Sequence, residues 1–363
     1  MSAPTPGPPP RADGPLVRDL VVVGASAGGV EALRKLVSGL PADLPAAVLV
    51  VLHIPAYSRS ALASILGRAG RLPVEQAHED TALVPGRILV APPDHHLLVA
   101  DGHVTLSRGP RENGHRPSVD VLFRSAARAA GPRVIGVVLS GTLDDGTAGL
   151  VAIRERGGLS VVQDPDDAAY PGMPLSAVEG DSPDAVLPLD EIPELLRALV
   201  GSRVDHPDRE VSELMDVEVA MAVPEDDALN SAERPGVPSG FACPDCHGVL
   251  FEIDEGHMRR FRCRVGHAWS ANSLAAQQAA AVEGALWTAL RALEEKAALA
   301  DRMARSADAR GHVMTAATFA EQALEARDSA IALRDLIERS SSLVPEPAGA
   351  AEPPTVEPAQ ALP

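Results

Sequence analysis

Val21-Val22-Val23-Gly24-Ala25-Ser26-Ala27-Gly28-Gly29 carries a short β-branched run into a glycine-flanked serine. Begun one residue earlier at Leu20, the run has the length and composition of a fully buried strand, and Val30, Leu33, Leu36, Val37 and Leu40 then recur at helical spacing. A buried strand that turns sharply into an amphipathic helix is the repeating unit of an α/β fold. It also puts Ser26 at the corner. Small neighbours let the backbone turn, leave the hydroxyl exposed, and aim the first N–H groups of the helix at an anion formed beside it. That is a place for a nucleophile, provided the chain supplies a base.

Outward from this corner the pattern repeats. Residues 20–23, 47–52, 87–91, 134–139 and 159–162 read as strands separated by helical stretches, which predicts a parallel, helix-covered sheet over a domain spanning 19–202. Within it, His96 to Leu106 sets Asp101-Gly102 between two apolar runs, so a β-hairpin is expected as an antiparallel edge. Residues 1–18 hold six prolines and 341–363 are rich in Pro, Ala and Glu; both predict disordered tails. Residues 203–240 carry ten acids against three bases, with Pro207, Pro224, Pro235 and Pro238, and read as an acidic linker.

The 363 residues, 45% of them hydrophobic, are enough for one sizeable core plus smaller modules. No apolar run approaches about 18 residues and the N-terminus has no signal-peptide pattern, so a cytoplasmic protein without membrane insertion is expected. Fifty acidic against thirty-two basic residues, a net charge of -18, disfavour nucleic acid or an anionic membrane as partner. An acidic protein or a small neutral ester stays open as substrate.

A serine hydroxyl is a weak nucleophile until a base takes its proton, and the base needs a third group to hold its ring. The second strand runs into His53-Ile54-Pro55, and the strand at 134–139 runs into Ser140-Gly141-Thr142-Leu143-Asp144-Asp145-Gly146. Three strands thus deliver Ser, His and Asp to one rim of a parallel sheet, where ligands bind. Each residue has a structural reading as well: Ser26 as a helix N-cap, His53 as a satisfied core histidine, Asp144 and Asp145 as helix initiators before Thr147. A dinucleotide site fits poorly. Its G-x-G-x-x-G fingerprint has Ser26 in place of the middle glycine, and the second strand ends in His53 rather than an acid. No cofactor is expected for catalysis.

Together Gly24-Ala25-Ser26-Ala27-Gly28-Gly29, His53-Ile54-Pro55, Arg116-Pro117-Ser118-Val119-Asp120, Ser140 to Gly146 and Pro171-Gly172-Met173-Pro174 resemble the chemotaxis protein-glutamate methylesterase catalytic domain. The resemblance implies a doubly wound α/β sheet and a triad of Ser26, His53 and Asp145, choosing Asp145 over Asp144. It implies hydrolysis of glutamate γ-methyl esters on methylated chemoreceptor or receptor-like proteins, with glutamine deamidation as a related activity. Backbone N–H groups near Ala27 or Thr142 become candidate oxyanion donors. Arg116 is a candidate for orienting an acidic substrate, against a surface ion pair; Met173 is a candidate cleft residue, against a core methionine. The family commonly has Thr after the serine and Gly-Met-Gly-Asn before the catalytic Asp-Gly, where this chain has Ala27 and Gly141-Thr142-Leu143-Asp144. Its usual members begin with a phosphate-accepting receiver domain; here only a short tail precedes the first strand, so control by phosphorylation within the chain is not expected.

The three cysteines cluster between 243 and 263, which is no disulfide framework. Cys243, Cys246, Cys263 and His267, as C-x2-C, sixteen residues, then C-x3-H, suit a tetrahedral structural zinc in a ribbon-like module over 241–270, with His247 and His257 as rival ligands. Arg259, Arg260, Arg262 and Arg264 form a local basic patch, but the acidic whole argues against nucleic acid. Over 271–340, Leu286, Leu290, Leu293, Ala297 and Ala300 mark one amphipathic helix and Phe319, Ala323, Ala326, Ala330, Leu333 and Ile337 another, with Gly311 between them. A helical hairpin follows, whose alanine-rich faces allow close contact internally or in a homodimer. Module and hairpin resemble the C-terminal extension of stand-alone methylesterase-like proteins. The rival function is a non-catalytic adaptor that keeps the fold and binds partners through these modules.

Overall fold

The computed structural model describes residues 16–57, 60–204, 209–223, 236–255 and 258–341. Both tails, apart from a few flanking residues, together with His257 and parts of the acidic 203–240 segment, lie outside these described residues. The α/β part runs β1 (Leu20–Ala25), α1 (Gly29–Gly39), β2 (Ala47–Leu52), α2 (Leu62–Ala69), β3 (Val74–Gln76), β4 (Ile88–Val90), β5 (His96–Ala100) and β6 (His103–Ser107). It continues with α3 (Val119–Ala130), β7 (Val134–Val138), α4 (Thr147–Glu155), β8 (Leu159–Gln163), α5 (Gly172–Asp181), β9 (Ala185–Leu187) and α6 (Ile192–Leu199). After α7 (Glu213–Met221) come β10 (Val237–Ala242), β11 (Val249–Glu255), β12 (Met258–Cys263) and β13 (Ala268–Ser270), then the long helices α8 (Ala271–Asp308) and α9 (Val313–Ser341).

Every residue of β1 and β2 is buried, which is why both read as unbroken apolar runs rather than alternating ones. Successive residues of β1 serve opposite faces. Val21, Val23 and Ala25 join a core with Leu33, Leu36 and Leu40, whereas Leu20 and Val22 join another with Leu122 and Phe123 of α3. Helices therefore cover both faces of a doubly wound sheet ordered β3-β4-β2-β1-β7-β8-β9, all of it parallel. One half of the sheet grows outward from β2 and the other from β7, with β1 between them. The carboxyl ends of β2, β1 and β7 thus meet at the switch in strand order, the position that binds ligands in open α/β sheets.

Two expectations are corrected. The hairpin at 96–107 is present, with Asp101 (φ 48°) and Gly102 (φ 79°) in its turn, but β5 and β6 form their own two-stranded sheet instead of an edge. Its apolar residues Leu97, Val99 and Val104 are buried in the core that α3 shares, so the hairpin is held by packing against that core and not by pairing with the main sheet. The acidic segment is not linker throughout. Ser212 caps α7 by accepting the Met215 N–H, and the helix buries Met215, Met221 and, against its charge, Glu218.

Strands β10 to β13 form a four-stranded antiparallel sheet that belongs to the same compact unit as the α/β domain, extending to Ser273. The second unit, from Leu274, contains most of α8 and all of α9. There Leu290, Ala330 and Ile337 make a small core with Leu286, Leu293 and Leu333, and Gly311 (φ 74°) closes the connection. No helix among the described residues is long and apolar enough to cross a membrane.

Candidate active site

Ser26 follows β1 directly, and its N–H donates to the Ser140 carbonyl (3.0 Å), tying the β1 corner to the β7 corner. Gly28 takes φ 71° to cap α1, and a side chain there would meet the Ser140 Oγ at 2.8 Å, so glycine is required on both counts. His53 follows β2, with its N–H on the Ala25 carbonyl (3.2 Å). Its Nδ1 lies 3.1 Å from Ser26 Oγ and its Nε2 2.7 Å from Asp145 Oδ2. A carboxylate accepts only from a protonated nitrogen, so the neutral ring carries its hydrogen on Nε2 and turns the Nδ1 lone pair to the serine. Serine, imidazole and carboxylate therefore form one continuous hydrogen-bonded line.

Asp145 sits against the start of α3. Its Oδ2 also accepts the Val119 N–H (2.7 Å), and its Oδ1 accepts the Asp120 N–H (3.1 Å), the Ser118 hydroxyl (2.9 Å) and the Asn113 amide (3.2 Å). The carboxylate thus satisfies helix N–H groups that a local N-cap side chain would otherwise take. Burial alone would raise its pKa. The hydrogen bond and charge of His53, the charge of His115 and the Val119 N–H overcome this and hold Asp145 well below the usual carboxylate range.

Neighbouring acids behave differently. Burial, and then the charge of Asp145, push Asp120 well above the usual range; its Oδ1 receives the N–H groups of Gly146 (3.0 Å) and Gly149 (2.7 Å), fixing the loop that carries Asp145. Asp144 points elsewhere. Its Oδ1 accepts the Ser270 hydroxyl at 2.7 Å, and burial raises its pKa to about 6.

The structure brings in side chains that sequence reasoning did not assign. His115 stacks on His53, with ring centroids 3.7 Å apart and planes 9° from parallel, and burial followed by the charge of His53 lowers it to about 4. Asn113 bridges Asp120 Oδ2 (3.1 Å) and Asp145 Oδ1. The signal available was the Asn113-Gly114 dipeptide, a turn marker, although what the turn touches is a tertiary fact.

Arg116 donates Nε and Nη2 to Asp94 (2.9 and 2.6 Å) and Nη1 to the carbonyls of Arg108 and Gly109 (3.0 and 2.8 Å). With four N–H groups engaged internally, it clamps the loop. Met173 is fully buried; a side chain on Gly141 would strike its sulfur at 2.1 Å and Ser26 Cβ at 2.9 Å. It packs beneath the nucleophile as a core residue. Leu143 keeps φ 62°, a left-handed conformation, at the very position where the Gly-Met-Gly-Asn run of the resembling family has a glycine.

In the Cys/His module the donor atoms of Cys243, Cys246, Cys263 and His267 all lie within 4.8 Å of one another. Cys246 Sγ and Cys263 Sγ are 3.6 Å apart and Cys263 Sγ is 3.5 Å from His267 Nδ1. Two thiolates at about 2.3 Å from one tetrahedral zinc would stand about 3.8 Å apart, so the donor set fits that ion. Both turns that present these donors are closed by backbone bonds, His247 N–H to Cys243 O (2.8 Å) and Gly266 N–H to Cys263 O (3.0 Å). The basic patch is divided. Arg260 and Arg262 are buried against Glu218 (2.7–2.9 Å), and Arg262 also reaches Glu112 (2.8 Å), whose other oxygen receives Arg124 (2.5 Å).

Residues 21–196 match the family described as CheB methylesterase. A protein-glutamate methylesterase/protein-glutamine glutaminase of Anaeromyxobacter dehalogenans (strain 2CP-C) is 45% identical over 195 residues, covering 52% of this chain and 54% of that protein. One from Pseudomonas aeruginosa is 42% identical over 190 residues, covering 51% and 54%. The crystal structure of the Thermotoga maritima CheB methylesterase catalytic domain is 34% identical, with a TM-score of 0.48, and the match covers 50% of this chain and 98% of that one. The chain spans about half the length of the curated relatives it matches.

Proposed function

The chain belongs to the CheB methylesterase family through residues 21–196, and on that premise we propose that it is a serine esterase removing methyl groups from glutamate γ-esters of chemoreceptor-type proteins. The observation that carries this reading is the Ser26–His53–Asp145 line at the strand switch point, with contacts of 3.1 and 2.7 Å.

Ser26 Oγ attacks the ester carbonyl while His53 Nδ1 takes its proton. The imidazolium, held by Asp145, returns that proton to the leaving oxygen, and methanol departs. Water, deprotonated by the same nitrogen, then hydrolyses the acyl-enzyme. Glutamine deamidation would follow the same course with ammonia as leaving group. The Ala27 and Thr142 N–H groups are the oxyanion donors in this reading, since the Ser26 and Gly141 N–H groups already serve the carbonyls of Ser140 and Tyr170. Catalysis needs no cofactor. Its substrate, the signalling helices of a receptor, places the enzyme in the cytoplasm.

Cys243, Cys246, Cys263 and His267 are assigned as ligands of a structural zinc. A bound zinc would neutralise the clustered thiolates and clip together a small sheet with little core of its own. Homodimerisation through α8 and α9 is assigned on the exposure of Trp287, Leu299 and Ile331, since the alanines Ala297, Ala300, Ala323, Ala326 and Ala330 are already buried within the chain; solution mass by light scattering tests it, and a strict monomer would sink it. For the main proposal, a serine-directed phosphonate should label native protein on Ser26. Failure of the native protein to take the label would favour the adaptor reading.

A further inference from the structure

Glu112-Asn113-Gly114-His115 closes on itself through His115 N–H to Glu112 O (2.9 Å) and Glu112 N–H to His115 O (3.2 Å). Asn113 (φ 51°) and Gly114 (φ 77°) both take the left-handed conformation of a two-residue hairpin turn. This turn sends Glu112 into the buried charge cluster, His115 onto the ring of His53, and Asn113 to Asp145.

The Asn113 amide has only one tolerable orientation. Its nitrogen faces Asp120 and the Asp145 carboxylate, while its oxygen accepts the Ser270 N–H and the Ser273 hydroxyl, both at 2.9 Å. Reversed, the amide would set oxygen against the Asp145 carboxylate and NH2 against both donors. Ser270 and Ser273 are themselves fixed, because they form the reciprocal cap at the start of α8: Ser273 N–H to Ser270 Oγ and Ser270 N–H to Ser273 Oγ, each 2.9 Å. Backbone bonds from β13 hold the same turn, with Ala268 N–H on Arg111 O (3.2 Å) and Asn113 N–H on Ala268 O (2.8 Å).

We infer that Asn113 is a positioning residue for Asp145, and that the β13–α8 junction of the Cys/His module, through Ser270 and Ser273, sets that position. The inference rests on the triad reading. Three groups donate to Oδ1 of Asp145: Ser118 and Asp120 come from the start of α3, and Asn113 comes from a turn pinned by the module. Asn113 therefore fixes the rotation of the carboxylate that aims Oδ2 at His53, and the module is a working part of the site.

The test uses the full chain and two readouts, the rate at which a phosphonate labels Ser26 and the kcat and KM of methanol release. Asn113→Ala should slow labelling and lower kcat by about 10- to 100-fold with KM unchanged, as expected when a reacting group is misplaced without loss of a substrate contact. Ser273→Ala should slow labelling by roughly 3- to 10-fold on the same ground, while Ser273→Thr, which keeps the hydroxyl, should stay near native. That rescue separates positioning from packing, and the serine pair carries the test if Asn113→Ala does not fold. Folded Asn113→Ala or Ser273→Ala protein that labels at the native rate would overturn the inference. Native protein that takes no label would overturn the triad reading first, and the inference with it.

Discussion

Asp145 shows how a buried carboxylate can remain charged. Burial opposes ionisation, yet five donors converge on its two oxygens, and a carboxylate so supplied stays an anion that can hold an imidazolium. Its neighbour Asp144, one residue away and bonded to Ser270, is pushed up to about 6. His115 gives a test at this scale. Its pKa falls to about 4, because burial and the His53 charge disfavour its protonation, whereas in the unfolded chain it titrates near 6.5. The unfolded state therefore binds a proton that the native state refuses. The contribution of His115 to stability is full above pH 6.5 and is lost as pH falls towards 4, by no more than about 3 kcal/mol. His115→Phe, which keeps a ring against His53, should lose less stability than the native chain between pH 6.5 and 4.5 in urea unfolding; equal losses would contradict the assignment. Ser26 and His53 were legible in sequence because each directly follows a strand; the loop after β7 offered Asp144 and Asp145 alike, and only the family resemblance chose Asp145. Asn113 and His115 were not legible, since a turn signal says that the chain reverses and not what it then touches. For Arg116 and Met173 the sequence left two readings open for a related reason: a guanidinium or thioether near a site carries no mark of which way it faces.

At the scale of elements, the long strands announced themselves because burial on both faces makes them continuous apolar runs. The short strands β3 and β9 have intermediate or exposed residues and left no comparable signal. Helix α7 was hidden by its charge. Averaged over 203–240 the acids dominate, but Glu218 is buried with Arg260, Arg262 and Arg124 around it, so its carboxylate works as an internal counter-ion. Burial would raise its pKa, and those three arginines hold it well below the usual range. The same cluster accounts for half of the basic patch, which faces inward. Glu218→Ala should cost about 3–5 kcal/mol, since it strands buried guanidinium groups. Urea unfolding measures the loss; a change below about 1 kcal/mol would show that the cluster does not hold the module to the α/β domain.

Over the whole molecule, the α/β domain and the Cys/His sheet form one compact unit, and the order of residues in the chain conceals this. Sequence divided them at the acidic segment; the structure joins them through Glu112, Glu218 and the Asn113 turn. If the four clustered donors hold zinc, purified native protein will contain the metal and Cys263→Ser protein will not. Equal zinc in both would remove Cys263 from the ligand set. Loss of the metal should also lower esterase activity, because the strand that follows His267 supports the turn beside Asp145. The enzymatic reading depends on Ser26 being a nucleophile. The most direct measurement is methanol release from a methylated receptor fragment by native and Ser26→Ala proteins, where the account predicts turnover by the native chain and a loss on the order of 10^3-fold or more in the variant. Equal methanol release by the two would contradict it.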